Sequence, residues 1–181
     1  MKDETICLHA GYDPEDGGPG VMPIVQSTTY RFKSTEHIGD LFNMPTECMY
    51  SRFANPTVDA VEKKIAELEG GKAGFAFGSG MAAITAVLSL FETGDKVIIS
   101  KNVYGGTFRV LDKVFNHFGI SYSIEDTTDL KSLDEKVTPD VKAIMIESPA
   151  NPLLTVTDIA GVAEIAEKHG ILSIVDNTFM T

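Results

Sequence analysis

The segment Gly78-Ser79-Gly80-Met81 has residue types and a spacing suited to binding an anion. We interpret it as the turn between a short strand at 74–77 and a helix over 81–91. Free N–H groups at a helix N-terminus attract anions, glycine lets a ligand come close to the backbone, and the Ser79 hydroxyl adds a donor. A plain tight turn has the same sequence, and no Gly-Lys-Ser/Thr of a Walker loop follows. The segment alone leaves both interpretations open.

Two tyrosines stand where a phosphate or an aromatic ligand could be held. Tyr50 is followed two positions later by Arg52. An arginine can contact phosphate through two N–H groups, and a tyrosine hydroxyl can donate to it. An exposed arginine in a loop is the simpler explanation of this pair. Tyr104 follows a predicted strand and begins a helix, so its ring could stack on a flat ligand or anchor the helix.

Carboxylate and amide side chains follow two further predicted strands. Asp176 ends the apolar strand predicted at 171–176. A carboxylate there can pair with a protonated ring nitrogen and keep that ring an electron acceptor, although helix caps and turns use aspartate too. Glu147 ends the strand predicted at 142–147, and Asn151 in the next, proline-bounded loop offers both a donor and an acceptor. A structural turn also explains that loop.

Strands and helices alternate from residue 55 onward. The predicted strands lie at 74–77, 96–100, 120–124, 142–147 and 171–176; the predicted helices run from Asn55-Pro56 to Gly70, over 81–91, through 108–118 to Gly119, over 130–137, and from 159 to Gly170. This alternation predicts an α/β fold with a mostly parallel sheet flanked by helices. Ligands of such sheets bind outside the carboxyl ends of the strands, where the residues named above are expected.

Charge and composition exclude several classes of function. The formal net charge of -11 argues against nucleic acid as a partner. No apolar run approaches the roughly 20 residues that cross a bilayer, and no apolar signal core follows the N-terminus, so we expect a cytoplasmic protein. Cys7 and Cys48 form no CxxC and have no histidine cluster beside them, which predicts reduced thiols and no metal site.

Turn-forming clusters dominate the first 54 residues. Asp13-Pro14 and Asp16-Gly17-Gly18-Pro19-Gly20 interrupt any sustained periodicity. We expect an extended arm that packs on the body of its own domain or on a neighbouring subunit.

Five motifs occur in order along the chain. They are Tyr50-Ser51-Arg52-x-x-Asn55-Pro56-Thr57, Gly78-Ser79-Gly80-Met81-Ala82-Ala83, Tyr104-Gly105-Gly106-Thr107, Glu147-Ser148-Pro149-x-Asn151-Pro152 and Val175-Asp176-Asn177-Thr178-Phe179. Together they resemble the Cys/Met-metabolism (trans-sulfuration) enzymes, which depend on pyridoxal 5'-phosphate (PLP). The resemblance covers essentially the whole chain. It implies the large domain of a fold-type I PLP-transferase, with an N-terminal arm at 1–54 and part of the PLP-binding domain at 55–181.

The resemblance implies which residues hold the phosphate of PLP. Ser79, Gly80 and Met81 would bind it from the same subunit. Tyr50 and Arg52 would reach the phosphate of a neighbouring subunit's cofactor, which explains an arm without its own core. The expected assembly is a homotetramer built from dimers that share active sites.

The resemblance also implies contacts around the PLP ring. Tyr104 would stack on the ring and assist proton transfer, as the one catalytic residue within these 181 residues. Asp176 would pair with the pyridine nitrogen, and Asn151 would hydrogen-bond the phenolic oxygen. Glu147 and Thr178 would be ring-side contacts.

The implied reaction is elimination or replacement at the γ-carbon of a homoserine- or homocysteine-type amino acid, as in cystathionine γ-synthase and γ-lyase. O-acetylhomoserine sulfhydrylase and methionine γ-lyase are alternatives, although methionine γ-lyases tend to carry cysteine where this chain has Gly106. The family's Schiff-base lysine stands in a Ser/Thr-x-Thr-Lys motif downstream of the Val-Asp-Asn-Thr segment, and the 181 residues contain no such motif. A non-catalytic fragment that binds PLP or intact subunits is therefore a further alternative.

Overall fold

A computed structural model describes residues 2–43 and 47–180. The chain divides into two compact units, Met1–Phe77 and Gly78–Thr181, and each is described by itself. The predicted division into an arm at 1–54 and a domain at 55–181 stays a prediction.

The first unit contains three helices among its described residues: α1 (Asp3–His9), α2 (Thr35–Asn43) and α3 (Pro56–Leu68). The sequence patterns did not predict α1 and α2, because the turn-forming clusters of this segment indicated an extended arm. Helix α1 packs against α3. Gly11, at φ +83°, makes this possible, since a Cβ atom there would overlap the carbonyl oxygen of Ala60.

Helix α3 begins as predicted. The Asn55 side-chain oxygen accepts hydrogen bonds from the N–H groups of Thr57 (3.0 Å) and Val58 (3.4 Å). The Asn55 amide nitrogen donates to the carbonyl oxygen of Val25 (3.0 Å). One side chain therefore caps the helix and fastens the preceding segment to it.

Among its described residues, the second unit is built on four parallel strands. In chain order its elements are α4 (Gly80–Leu88), β1 (Lys96–Ser100), α5 (Gly105–Lys113), a 3-10 helix (Phe115–Phe118), β2 (Ser121–Glu125), α6 (Leu130–Glu135), β3 (Val141–Glu147), α7 (Ile159–His169) and β4 (Leu172–Asp176). The strand order is β2-β1-β3-β4, and every neighbouring pair is parallel. The predicted α/β class with a parallel sheet is confirmed.

Two local predictions were wrong. Residues 74–77 form no strand, because no described strand offers them a hydrogen-bonded ladder. The helix predicted through 108–118 is interrupted at Val114, and the chain continues as the 3-10 helix. Gly119 ends that helix at φ +80°, as a left-handed C-terminal glycine does.

The core lies on both faces of the sheet. Val97 and Ile99 of β1 are fully buried in a cluster with Leu111 of α5, and Ile98 is fully buried in a second cluster with Val162 of α7. Successive side chains of a strand point to opposite faces, so both faces of β1 are covered. This burial fixes the strands and therefore the loops at their carboxyl ends. No helix within 2–43 and 47–180 is long and apolar enough to span a membrane.

Candidate active site

A cavity of about 350 Å³ opens at the carboxyl ends of the strands in the second unit. Its lining residues are Ser79, Gly80, Met81, Ile84, Tyr104, Glu147, Asn151, Asp176, Thr178 and Phe179. All eight site residues predicted within this unit line the cavity. Ile84 and Phe179 were not predicted as site residues, since an apolar side chain carries no chemical signal in a sequence.

The N-terminus of α4 leaves two N–H groups free at the cavity. The Ser79 hydroxyl oxygen caps the helix by accepting from the Ala82 N–H (3.1 Å), and the Ser79 carbonyl accepts from the Ala83 N–H (3.1 Å). No acceptor for the N–H groups of Gly80 and Met81 occurs among the residues that the structure describes. Ser79 can still donate its hydroxyl proton. Three donors are thus available to an anion.

The glycines of this turn face open space. A Cβ atom at Gly78 or Gly80 would meet no atom of the described residues within 4 Å. Packing among these residues therefore does not require glycine at either position. The space in front of the backbone instead suits a ligand that approaches the helix N-terminus closely.

The Tyr104 ring stands at the start of α5 and is 48% exposed. A Cβ atom at Gly106 would lie 2.5 Å from Cε1 of this ring and 2.8 Å from the Met81 sulfur atom. The ring therefore lies against the first turn of α5, beside the cavity wall that Met81 forms. The sequence identified Tyr104 but gave no sign of this steric role of Gly106.

Glu147 is buried, with 6% of its surface exposed. Its Oε2 accepts a hydrogen bond from the Tyr104 N–H (2.5 Å), and its Oε1 accepts one from the Asn151 N–H (2.8 Å). Both carboxylate oxygens thus bind backbone groups of two different loops. The sequence predicted the residue but not these partners.

Asp176 keeps one carboxylate oxygen available. Its Oδ1 accepts hydrogen bonds from the Thr178 N–H (3.2 Å) and hydroxyl (2.5 Å). Oδ2 has no hydrogen-bond partner within the described part of the chain. Asp176 therefore stabilises the turn through Oδ1, while its role as a ligand residue stays a prediction, for which Oδ2 is available.

Tyr50 and Arg52 belong to the first unit. The guanidinium carbon of Arg52 lies 4.8 Å from the centroid of the Tyr50 ring and 5.3 Å from that of Phe53. In residues 2–43 and 47–180 no carboxylate forms an ion pair with Arg52. Its charge rests on two aromatic faces while its N–H groups remain available for an anion.

A second cavity, of about 500 Å³, lies in the first unit and includes Cys48 and Asp59 among its lining residues. Burial and the nearby Asp59 carboxylate raise the pKa of the Cys48 thiol above its usual value. A raised pKa disfavours the reactive thiolate. No group of three His, Cys, Asp or Glu side chains suited to a metal ion occurs within the described residues.

The first cavity fits a flat, phosphorylated, nitrogen-containing ring. Its volume lies within the roughly 300–1,000 Å³ range of small-molecule sites. The free N–H groups of Gly80 and Met81 suit the phosphate, and the free Asp176 oxygen suits a protonated ring nitrogen. The Tyr104 ring offers a stacking face.

Comparison with known proteins gave a match to one family. The family model described as Cys/Met metabolism PLP-dependent enzyme matches residues 4–181. The chain is 47% identical to cystathionine gamma-lyase of Bacillus subtilis (strain 168), covering 100% of this chain and 46% of that protein. It is 44% identical to cystathionine beta-lyase of Lactococcus lactis subsp. cremoris, covering 98% and 45%.

Among solved structures, the fold is similar to cystathionine gamma-lyase from Lactobacillus plantarum, solved as a complex with L-serine. The TM-score is 0.89 and the identity 46%, over 100% of this chain and 46% of the other. The chain thus spans about half the length of the relatives that it matches.

Proposed function

Because the chain belongs to the Cys/Met metabolism PLP-dependent enzyme family, we propose that it supplies the N-terminal half of the active site of a trans-sulfuration enzyme. The proposed reaction occurs at the γ-carbon of a homoserine- or homocysteine-type amino acid, as in cystathionine γ-lyase and γ-synthase. PLP is the cofactor of the family. One observation carries the proposal: residues from four separate segments meet at one cavity and offer the groups that this cofactor needs.

The proposed phosphate site is the N-terminus of α4. The N–H groups of Gly80 and Met81 and the Ser79 hydroxyl bind the phosphate, since these residues line the cavity and the two N–H groups have no acceptors among the described residues. The partial positive charge of the helix end adds to these hydrogen bonds.

The proposed ring site lies between Tyr104, Asn151 and Asp176. The Tyr104 ring stacks on the cofactor ring, and the Asn151 amide donates to its phenolic oxygen. The free Oδ2 of Asp176 holds a proton on the ring nitrogen, and Thr178 orients Asp176 through its Oδ1. When bound, PLP supplies the electron sink for breaking bonds in the amino-acid substrate.

Tyr50 and Arg52 are proposed to act in a neighbouring subunit. The Arg52 guanidinium lies over two aromatic rings and forms no ion pair with a carboxylate in the described residues. Its charge is therefore available to a phosphate from outside its own unit. The proposed assembly is a homotetramer made of active-site-sharing dimers, and the proposed location is the cytoplasm.

A second candidate reaction is β-cleavage of cystathionine. The 44% identity to a cystathionine beta-lyase is close to the 47% identity to a cystathionine gamma-lyase. The products separate the two reactions. Cleavage of the γ-carbon–sulfur bond releases cysteine, whereas cleavage of the β-carbon–sulfur bond releases homocysteine.

The deciding experiment reads the gene beyond the codon for Thr181 and then tests its full product. We expect the reading frame to continue into a Ser/Thr-x-Thr-Lys motif and the purified protein to release cysteine from cystathionine. Release of homocysteine would favour the β-lyase, and turnover of methionine or an O-acylhomoserine would favour the other two branches. A stop codon after Thr181, with no lysine trapped by PLP and borohydride, would leave the non-catalytic alternative.

A further inference from the structure

Glu147 joins two loops at the cavity. It is the last residue of β3, and the loop at 148–158 follows it directly. Its Oε1 accepts from the Asn151 N–H (2.8 Å) in that loop. Its Oε2 accepts from the Tyr104 N–H (2.5 Å) in the loop that follows β1. One buried carboxylate thus holds the backbones of two loops at a fixed separation.

The carboxylate is suited to this arrangement in a way that an amide is not. A carboxylate accepts hydrogen bonds at both oxygens, whereas an amide accepts at one and donates at the other end. Two N–H donors therefore match a glutamate and exclude a glutamine of the same shape. A buried carboxylate also needs such donors, because burying its charge without them is costly.

Other bonds keep the two loops folded without Glu147. The Asn102 side-chain amide donates to the Thr155 hydroxyl oxygen (3.2 Å), which ties the same two loops together. The Ser148 hydroxyl donates to the Thr157 carbonyl (3.2 Å) and accepts from the Thr157 N–H (3.0 Å). Loss of one Glu147 hydrogen bond would therefore shift Tyr104 relative to Asn151, while these other bonds keep the two loops folded and joined.

We propose that Glu147 is a positioning residue, which acts on PLP through Tyr104 and Asn151 and not through its own contact with the cofactor. The inference rests on the proposed function, since it requires that Tyr104 and Asn151 bind the ring. Glu147 sets the distance between the two backbones, and that distance sets where the Tyr104 ring and the Asn151 amide stand.

The first measurement concerns the protein without PLP. In the full-length product, Glu147→Gln should speed hydrogen exchange at the amide of Tyr104 or Asn151 by about tenfold, the size of one lost charged hydrogen bond. Glu125→Gln is the matched control: Glu125 ends β2 as Glu147 ends β3, and its carboxylate has no partner within the described residues. Unchanged hydrogen exchange at both amides in Glu147→Gln would mean that Glu147 does not hold these two backbones, and would overturn the inference.

The second measurement is the PLP dissociation constant of the full-length protein. Glu147→Gln should weaken binding about tenfold in the wild-type background. The same substitution should have less than about a twofold effect when Tyr104→Ala and Asn151→Ala are already present, because the groups that it positions are gone. An equal loss in both backgrounds would mean a direct contact and overturn the inference alone. Absence of PLP binding by the wild-type protein would instead overturn the proposed function and, with it, this inference.

Discussion

The Tyr104 ring lies so close to Gly106 that a methyl group at position 106 would have no room. A Cβ atom at position 106 would come within 2.5 Å of the Tyr104 ring. The ring position therefore depends on the absence of a side chain two residues further along the helix.

Gly106→Ala should displace the Tyr104 ring from its place beside the cavity. We expect the PLP dissociation constant to rise roughly tenfold, in line with the usual effect of overpacking. The measurement is a PLP titration of the full-length protein. Gly105→Ala is the control, because a Cβ atom there would meet nothing within 4 Å in the part of the chain that the structure describes. Equal effects of the two substitutions would contradict the steric explanation.

Asp176→Asn tests the free carboxylate oxygen. The variant keeps an acceptor for Thr178 but loses the negative charge. In the full-length protein we expect kcat/KM for cystathionine to fall about 10- to 100-fold and the PLP dissociation constant to rise by a similar factor. Steady-state kinetics and a PLP titration measure the two effects. Asp158→Asn, which changes the cap of α7 to another good capping residue, should leave both values near wild type.

Lys101→Met tests an ion pair at the end of β1. Hydrogen bonds from Lys101 and then Thr128 lower the pKa of Asp126 from 3.8 to about 2. Since the pKa is lower in the folded chain, the pair stabilises the fold above about pH 4, and this contribution is lost as the pH falls towards 2. A carboxyl titration by NMR should show the Asp126 pKa rising towards 3.8 in the variant. An unchanged pKa would assign the shift to Thr128.

Asn55→Ala should destabilise the first unit by about 1–2 kcal/mol, because it removes the cap of α3. Asn55→Asp separates the two roles of the side chain. It keeps the oxygen that caps the helix and loses the N–H groups that bind the Val25 carbonyl and the Ser51 hydroxyl oxygen. We expect a smaller loss for Asp than for Ala in urea unfolding. A loss as large as that of Ala would make the bonds to Val25 and Ser51 more important than the cap.

The sheet and its ligand edge could be predicted from the sequence because they depend on local patterns. The apolar runs of β1 and β3 are continuous, as expected for strands buried on both faces, and α7 ends at Gly170 as its pattern indicates. The residues after each strand then had to meet at one edge. This topological rule alone predicts that Tyr104, Asn151 and Asp176 lie near one another.

The sequence could not predict features that depend on contacts between distant residues. The close approach of Gly106 to Met81 is not visible in a motif, and neither is the bond from the Tyr104 N–H to Glu147, 43 positions away. Residues 74–77 have strand-like composition, but a strand also needs a neighbour, which composition does not specify. The helices α1 and α2 lie in a segment whose turn-forming clusters obscure any helical pattern.

The Glu147 carboxylate accepts hydrogen bonds from main-chain N–H groups, which nineteen of the twenty common amino acids possess. Any residue except proline at positions 104 and 151 can therefore still donate these two hydrogen bonds. The frame of the cavity is in this way separate from the side chains that fill it. The side chains at these two positions can therefore change while the two loops keep their separation, so the contacts to the cofactor ring and the scaffold that carries them can be altered one without the other.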